Sequence, residues 1–370
     1  PYSAGQHVQG ASALMATRTR VHDWQAITLL EGNSVAAALE LMNRGGYQLA
    51  LVRRADGRLA GMVTDSDIRK ALLHGINLEE PVVAVMNDAP LVVSPELGET
   101  EAHQLMRLNH FFHLPVVDQS GQLVGLHVAE QLHSSITRAE TLVIMAGGRG
   151  RRLMPLTAQT PKPMLPIHGK PIMQHIIERA KRDGFVNIAV SVNYLADKII
   201  DAFGDGSSLG VNIFYVHETQ PLGTAGAVAL VPKEIQSDIM VVANGDIITD
   251  LCFSDMLDHA ASLQADGSMA VRLEKWQSPF GIVETDGSSL LGVREKPVHT
   301  YSVNAGIYVV SRPLTGLIPD NTYFDMTDLF NLGISKGLDL SVYPLHESWI
   351  DIGRPDDYEQ ASGHIKASSF

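Results

Sequence analysis

The sequence predicts an α/β protein in two parts, a small twice-repeated unit followed by a larger doubly wound sheet. Three observations carry this. A strand–turn–strand–helix pattern in the first third recurs 64 residues further on, pairing Gly57 with Gly121, Leu59 with Leu123, Gly61 with Gly125 and Ile68 with Leu132. From residue 141 onward, short apolar strands alternate with amphipathic helices. Finally, 45% of the 370 residues are hydrophobic, which is enough for more than one packed core.

In chain order, residues 1–18 read as a polar, aperiodic leader, and Met15 is a candidate natural start. Residues 19–137 form the repeated domain. Each repeat opens with an amphipathic helix, SVAAALELMNRGG at 34–46 and ETEAHQLMRLNHF at 99–111, and Ala38, Leu41 and Met42 show the helical spacing. Residues 51–68 and 115–132 each read as a strand, a tight Gly-containing turn, a second strand and a helix start. The polar stretch 133–140 is the expected linker, and 140–364 is the second domain. Its pattern predicts strand 141–146, helix 171–183, strand 187–192, helix 195–203, strand 212–216, helix 224–231 and strand 238–243.

The most informative stretch is LVIMAGGRGRRLMPLTAQTPKPMLPI, residues 142–167. An apolar strand runs into Ala146, Gly147, Gly148 and Gly150, with Arg149, Arg151 and Arg152 interleaved and Lys162 following between prolines. Glycines let backbone N–H groups approach a phosphate, and arginine adds planar bidentate contacts. The reading is a triphosphate cradle at the carboxyl end of a first sheet strand, where α/β sheets bind ligands. It is neither a Walker P-loop, since no Gly-Lys-Ser/Thr follows, nor a dinucleotide fingerprint, since Leu153 stands where the third glycine belongs. For the glycines alone, a tight strand–helix turn with solvated arginines is the competing reading.

After the strand Asp238–Ala243 comes Asn244-Gly245-Asp246. A carboxylate just past a buried strand, beside a phosphate cradle, can hold Mg²⁺, which prefers hard oxygen ligands and substrate phosphates. The same tripeptide is also a good turn. Gly223 and Thr224 start a helix, so N–H groups there are expected to point outward. The formal net charge of −13 argues against nucleic-acid and anionic-membrane partners. No run of 18 apolar residues suggests a membrane span, and the lone cysteine, Cys252, fits a reducing cytoplasm and reads as a small core residue.

The 142–167 stretch resembles the pattern GGxGxRLxPLTxxxPKPMLPI of the sugar-1-phosphate nucleotidyltransferases, departing at Arg151, where Thr is usual. That resemblance implies a mixed-sheet, Rossmann-like fold. It also implies transfer of a nucleotidyl group from a nucleoside triphosphate to a hexose-1-phosphate, with release of pyrophosphate. Trp349-Ile-Asp351-Ile-Gly353-Arg-Pro355-Asp-Asp-Tyr358 resembles the family's W-x-D-x-G-x-P-x-x-Y segment, which makes Asp351 a second Mg²⁺ ligand opposite Asp246. Asp356 and Asp357 read instead as helix N-terminal charges.

By the same resemblance, nucleotide contacts fall on Ala146, Gly147, Gly148, Gly150, Arg151, Gln220, Gly223 and Thr224. The PLGTAG wording resembles guanylyl- and related mannose-1-phosphate-type enzymes more than thymidylyltransferases, which points to GTP. Gly281, Glu295, Lys296 and Asn304 match the sugar-phosphate segments, although a solvated Glu–Lys pair is the ordinary reading of residues 295–296. The implied catalytic roles give Arg152 the leaving pyrophosphate, Lys162 the α-phosphate and incoming phosphate, and Asp246 the metal.

Residues 20–136 resemble a tandem CBS pair, a regulatory or oligomerising module that implies a homo-oligomer and an adenine nucleotide as ligand. The family pattern G-h-h-[ST]-x-x-D is kept in repeat one, at Gly61 with Thr64 and Asp67. Repeat two carries Val128 and Gln131 in the last two places. Thr64 and Asp67 also make a good helix N-cap. The domain order is similar to that of the CBS-linked glucosamine-1-phosphate guanylyltransferases of legionaminic acid biosynthesis. Mannose-1-phosphate guanylyltransferase is the second enzyme reading, and a catalytically silent nucleotide sensor or a scaffold is the reading of another class.

Overall fold

The computed structural model describes residues 21, 23–45, 48–109, 112–128 and 137–364. The expected leader, Gln131 and the first half of the expected linker, 133–136, lie outside the described residues. The chain divides into two compact units after His133.

In the first unit, a 3-10 turn at Trp24–Ile27 leads into β1 (Thr28–Leu30), α1 (Val35–Gly45), β2 (Leu49–Arg53), β3 (Leu59–Thr64) and α2 (Asp65–Leu73). The second repeat supplies α3 (Glu99–Asn109), β4 (His113–Val117) and β5 (Leu123–Val128). The repeat holds at the level of pairing. Strand β1 is parallel to β2, which is antiparallel to β3; Val93 is bridged in parallel to Val116, and β4 is antiparallel to β5. The two turns bind one another, Leu59 N donating to Gly121 O and Leu123 N to Gly57 O, both at 3.2 Å. Ala38, Leu41 and Met42, the apolar face read from spacing, are all buried.

The second unit begins with β6 (Arg138–Met145), so the last residues of the expected linker are strand. The reason is local: Arg138 N donates to Gly184 O, and its guanidinium grips Ser254 and Asp258. The chain continues through β7 (Pro166–Ile167), β8 (Lys170–Pro171), α4 (Ile172–Arg182), β9 (Phe185–Val192), α5 (Ala196–Phe203), β10 (Asn212–His217), α6 (Gly223–Gly226), β11 (Ile239–Asn244), β12 (Ile247–Thr249) and α7 (Phe253–Ser262). Then come β13 (Gly267–Gln277), β14 (Ile282–Asp286), β15 (Ser289–Arg294), β16 (Val298–Ser311), α8 (Arg312–Thr315), α9 (Met326–Ser335), β17 (Leu340–Leu345), β18 (Trp349–Asp351) and α10 (Pro355–His364). The helix expected at 224–231 is one α turn followed by a 3-10 turn, Ala227–Leu230. Its first N–H groups are taken by the segment around Phe324 and Asp325.

The seven-stranded sheet runs β10-β9-β6-β11-β16-β13-β17. Within it only β16 is antiparallel to its neighbours, so the sheet is mixed. Helices cover both faces. One apolar layer includes Leu142, Ile144, Ile188, Val190, Met173 and Phe253; the other includes Val143, Ala189, Val242, Val310 and Leu329. Adjacent residues of β6 alternate between these layers, as the two-residue period of a strand requires. The four parallel strands β10, β9, β6 and β11 end together at one edge, where Asn244 pairs with Met145 and Met145 with Ser191.

Candidate active site

The loops leaving that edge build the site. Gly245 N donates to Met145 O at 2.9 Å and Ala146 N to Ser191 O at 3.0 Å, which sets the 146–152 and 245–246 turns side by side. Gly150 starts the 3-10 turn Arg151–Leu153 with φ of 59°. A Cβ there would stand 2.9 Å from Thr157 Cγ2 and 3.2 Å from Lys162 Cβ, so glycine is required both by conformation and by space. Thr157 Oγ1 donates to Gly150 O and holds the turn. Gly148 has open space where a Cβ would be.

A cavity of about 250 Å³ results, lined among others by Gly148, Arg151, Arg152, Lys162 and Asp246. Lys162 is 9% exposed and its ammonium pairs with Asp246 Oδ2 across 84 residues of chain. Asp351 arrives through β18, which pairs antiparallel with β12 so that Ile247 faces Asp351. Ile352 N then donates to Asp246 O at 3.0 Å. Loss of hydration and then the charge of Asp246 push the Asp351 carboxyl above its ordinary range, against the opposing pull of Lys162 and Arg152. The Arg152 Nη1 lies 3.5 Å from where a Cβ of Gly353 would stand. The structure therefore brings Arg151, Arg152, Lys162, Asp246 and Asp351 together.

A divalent cation fits this donor set. Asp246 Oδ1 is buried with no hydrogen-bond partner, and Asp351 supplies a second hard oxygen donor beside it. Among the described residues no group of three or more His, Cys, Asp and Glu converges, so phosphate and water would complete the shell.

A second cavity, of about 340 Å³, shares Met145, Gly148 and Asp246 with the first and is otherwise lined by Gly147, Glu218, Pro221, Gly223, Thr224, Asn244, Tyr323 and Asp325. Its charged lining residues are all acidic. The expected Gln220 lines neither cavity; its Nε2 donates to Asn321 O. The N–H groups at the start of α6 do not point outward as expected. Thr224 N donates to Asp325 Oδ1, and Ala225 N and Gly226 N both donate to Phe324 O. Tyr323 and Asp325 lie in a segment that no sequence motif marked; Asn244 belongs to the Asn244-Gly245-Asp246 turn and Glu218 precedes the PLGTAG segment, but neither was given a role there. The Glu218 carboxylate accepts Ser191 Oγ–H and Leu222 N.

Of the expected sugar-side residues, Gly281, Glu295, Lys296 and Asn304 line neither cavity. Gly281 and Glu295 face each other at the base of the β14–β15 hairpin, with Glu295 Oε2 2.9 Å from a Gly281 Cβ position. Lys296 follows with φ of 42°. Asn304 is nearer the centre: its Nδ2 donates to the Tyr308 hydroxyl at 2.8 Å. Desolvation, and the charges of Asp325 and Asp246, raise the Tyr308 hydroxyl above its usual range.

In the first unit, Thr64 and Asp67 form a reciprocal capping box on α2. Asp67 N donates to Thr64 Oγ1 at 3.3 Å, and Thr64 N and Oγ1 both donate to Asp67 Oδ2. Thr64 Oγ1 and Asp67 Oδ2 are thus committed to the helix start. Asp357 plays the expected N-terminal part on α10, accepting from Arg354 N.

A model of the nucleotidyl transferase family matches residues 141–368, and a CBS-domain model matches residues 19–74 and 82–126. Mannose-1-phosphate guanylyltransferase of Mycobacterium tuberculosis is 33% identical over 230 residues, covering 60% of this chain and 64% of that protein. UTP–glucose-1-phosphate uridylyltransferase of Synechocystis is 33% identical over 245 residues, covering 59% of this chain and 61% of that protein. The chain thus spans less than two thirds of the length of these relatives. A Bacillus anthracis protein crystallised with a sucrose shares the fold at a TM-score of 0.52 and 22% identity, over 62% of this chain and 97% of that one. No helix among the described residues is long and apolar enough to cross a membrane.

Proposed function

The chain belongs to the nucleotidyl transferase family, and on that footing we propose that it joins a nucleoside triphosphate to a hexose-1-phosphate with loss of pyrophosphate. The observation that carries the reading is the convergence of Arg151, Arg152 and Lys162 with the carboxylates Asp246 and Asp351 around one cavity at the carboxyl end of the sheet. Such chemistry needs positioning and charge neutralisation above all. A sugar-phosphate oxygen attacks the α-phosphorus in line and pyrophosphate departs. The attacking oxygen is already anionic, so no residue has to remove a proton. Arg152 holds the departing pyrophosphate, and Lys162, drawn from Asp246 to substrate, steadies the α-phosphate. When bound on Asp246 and Asp351, Mg²⁺ supplies positive charge to the triphosphate.

The nucleotide lies along Ala146, Gly147, Gly148, Gly150, Arg151, Gln220, Gly223 and Thr224, and Gly281, Glu295, Lys296 and Asn304 take the sugar phosphate. The preferred pair is GTP with glucosamine-1-phosphate, on the strength of the PLGTAG segment and the CBS-linked domain order. Mannose-1-phosphate with GTP is the second reading, favoured by the similarity to the mannose-1-phosphate guanylyltransferase of Mycobacterium tuberculosis. The first unit acts as a regulatory or oligomerising module in a cytoplasmic homo-oligomer. An adenine nucleotide there would share Thr64 and Asp67 with the α2 cap. Pyrophosphate release with Mg²⁺, across GTP, UTP, CTP, dTTP and ATP against glucosamine-, N-acetylglucosamine-, mannose- and glucose-1-phosphate, tests the reading. A single strong cell names the pair. An empty matrix, repeated with AMP and ATP present, would overturn it.

A further inference from the structure

Two segments about a hundred residues apart cap each other beside the second cavity. Asp325 is the N-cap residue of α9, yet its carboxylate makes no bond to its own helix. Its Oδ1 instead accepts Thr224 N at 3.0 Å and Thr224 Oγ1 at 3.2 Å. In return, Thr224 Oγ1 accepts Met326 N at 2.9 Å, an orphan N–H of the first turn of α9. Each segment therefore supplies the N-terminal cap of the other. The backbones reinforce the exchange: Phe324 N donates to Leu222 O at 2.8 Å, and Phe324 O accepts both Ala225 N and Gly226 N at 2.9 Å. Gly223 has φ of 75°, and a Cβ there would meet Phe324 O at 2.6 Å, so the two chains touch at backbone distance.

We propose that Asp325 is a positioning residue for nucleotide binding: by capping Thr224 from α9 it fixes the backbone of Leu222–Gly226 at the wall of the second cavity. The inference rests on the nucleotidyl-transfer reading, in which Gly223 and Thr224 line the nucleotide. Asp325 is not itself the ligand-reading group, because its carboxylate is occupied: Oδ1 takes both Thr224 donors and Oδ2 accepts the Tyr323 hydroxyl at 2.8 Å. A charge held this way acts through geometry. Without it, Thr224 N loses its acceptor and Thr224 Oγ1 loses the carboxylate that orients it toward Met326 N, and the cavity wall is left to relax.

The test uses the full chain with Asp325→Ala, Asp325→Asn, Thr224→Val and Thr224→Ser, and reads steady-state kinetics and calorimetric binding of Mg·GTP. Asp325→Ala and Thr224→Val should weaken Mg·GTP binding and raise its KM about tenfold, the scale of one lost helix cap. KM for the hexose-1-phosphate should stay level and kcat should change little. Asn at 325 and Ser at 224 keep an acceptor and a hydroxyl and should recover much of the loss. The Asp325→Ala/Thr224→Val double variant should cost less than the sum of the two single ones, because the Thr224 Oγ1–Asp325 Oδ1 bond is lost in both. Unchanged Mg·GTP affinity in both Asp325→Ala and Thr224→Val would overturn the proposal. So would parallel rises in both KM values, or no recovery with Asn and Ser. If Asp325→Ala does not fold, Thr224→Val and Asp325→Asn carry the same comparison. A wild type that binds Mg·GTP but transfers nothing would fail the proposed reaction while leaving the calorimetric comparison intact.

Discussion

Replacing Lys162 by methionine removes a charge from the middle of the site while keeping most of its volume. Lys162 and Asp246 are 11% and 23% exposed at their side chains, so the pair is largely but not wholly withdrawn from water. Removing one partner of a fully buried pair costs about 3–5 kcal/mol, because the other charge is stranded. Partial exposure of Asp246 brings that down to about 2–3 kcal/mol. The stranded charge also sits beside Asp351, whose carboxyl is already pushed up by burial and then by Asp246, against the pull of Lys162 and Arg152. At roughly 2–4 °C per kcal/mol for a domain of this size, Lys162→Met should lower the melting temperature of the second unit by about 4–12 °C. It should do so without unfolding the protein. Two controls make the reasoning refutable. Lys162→Met/Asp246→Leu, which leaves no stranded charge, should regain most of the stability. Mg²⁺ should stabilise Lys162→Met more than wild type, since the cation replaces the missing positive charge. If Lys162→Met melts like wild type, or if the two substitutions destabilise additively, the ion pair is not what organises this site.

Other expectations can be checked as directly. Gly150→Ala forces a side chain into a left-handed position against Thr157 and Lys162, so it should cost about 1–3 kcal/mol in chemical denaturation and displace Arg151 and Arg152, weakening triphosphate binding. Arg152→Ala should lower turnover by orders of magnitude at little cost in stability, as measured by pyrophosphate release beside a thermal melt. In the first unit, burial holds His113 down at about 4, against an ordinary value near 6.5. The unfolded chain therefore binds the extra proton first as pH falls. The stabilisation is whole above about pH 6.5 and is lost progressively as pH drops to about 4, by up to about 3 kcal/mol at about 1.4 kcal/mol per unit. His113→Gln should flatten that part of the stability–pH curve relative to wild type.

The readable part of this molecule is the part whose physics is local. Strand and helix periodicity placed α4, β9, α5, β10 and β11 within a residue or two, since each buries a face against a neighbour close in sequence. The 142–167 stretch could be read because backbone approach to phosphate demands glycine and charge at fixed spacing, and the family resemblance extended it to Asp351. What stayed hidden is long-range. Nothing near residue 224 announces that Asp325 and Phe324 will take its N–H groups, so the free helix start read from sequence becomes a capped one. Thr64 and Asp67 show the converse: one spacing satisfied both a ligand pattern and a capping box, and the structure displays the capping box.

The sharing of Asp246 by the two cavities leads to a last prediction. On one side it meets Lys162 and the arginines; on the other it joins Glu218 and Asp325, with no basic residue in that lining. A triphosphate crossing from one cavity to the other must pass this carboxylate, and without a cation the two charges repel. Asp246→Asn removes that repulsion and frees Lys162 toward the phosphates. It also removes a hard oxygen donor, for Asp246 Oδ1 is the buried carboxylate oxygen that has no protein partner. Binding and chemistry should then separate. Calorimetry in EDTA should show GTP binding to Asp246→Asn more tightly than to wild type, while added Mg²⁺ should improve binding to wild type far more than to the variant. Pyrophosphate release should fall by orders of magnitude, because charge neutralisation in the transition state is lost even though the ground-state complex forms. Equal Mg²⁺ dependence of GTP binding in the two proteins would mean that Asp246 does not hold the cation, and wild-type turnover in the variant would remove it from the mechanism.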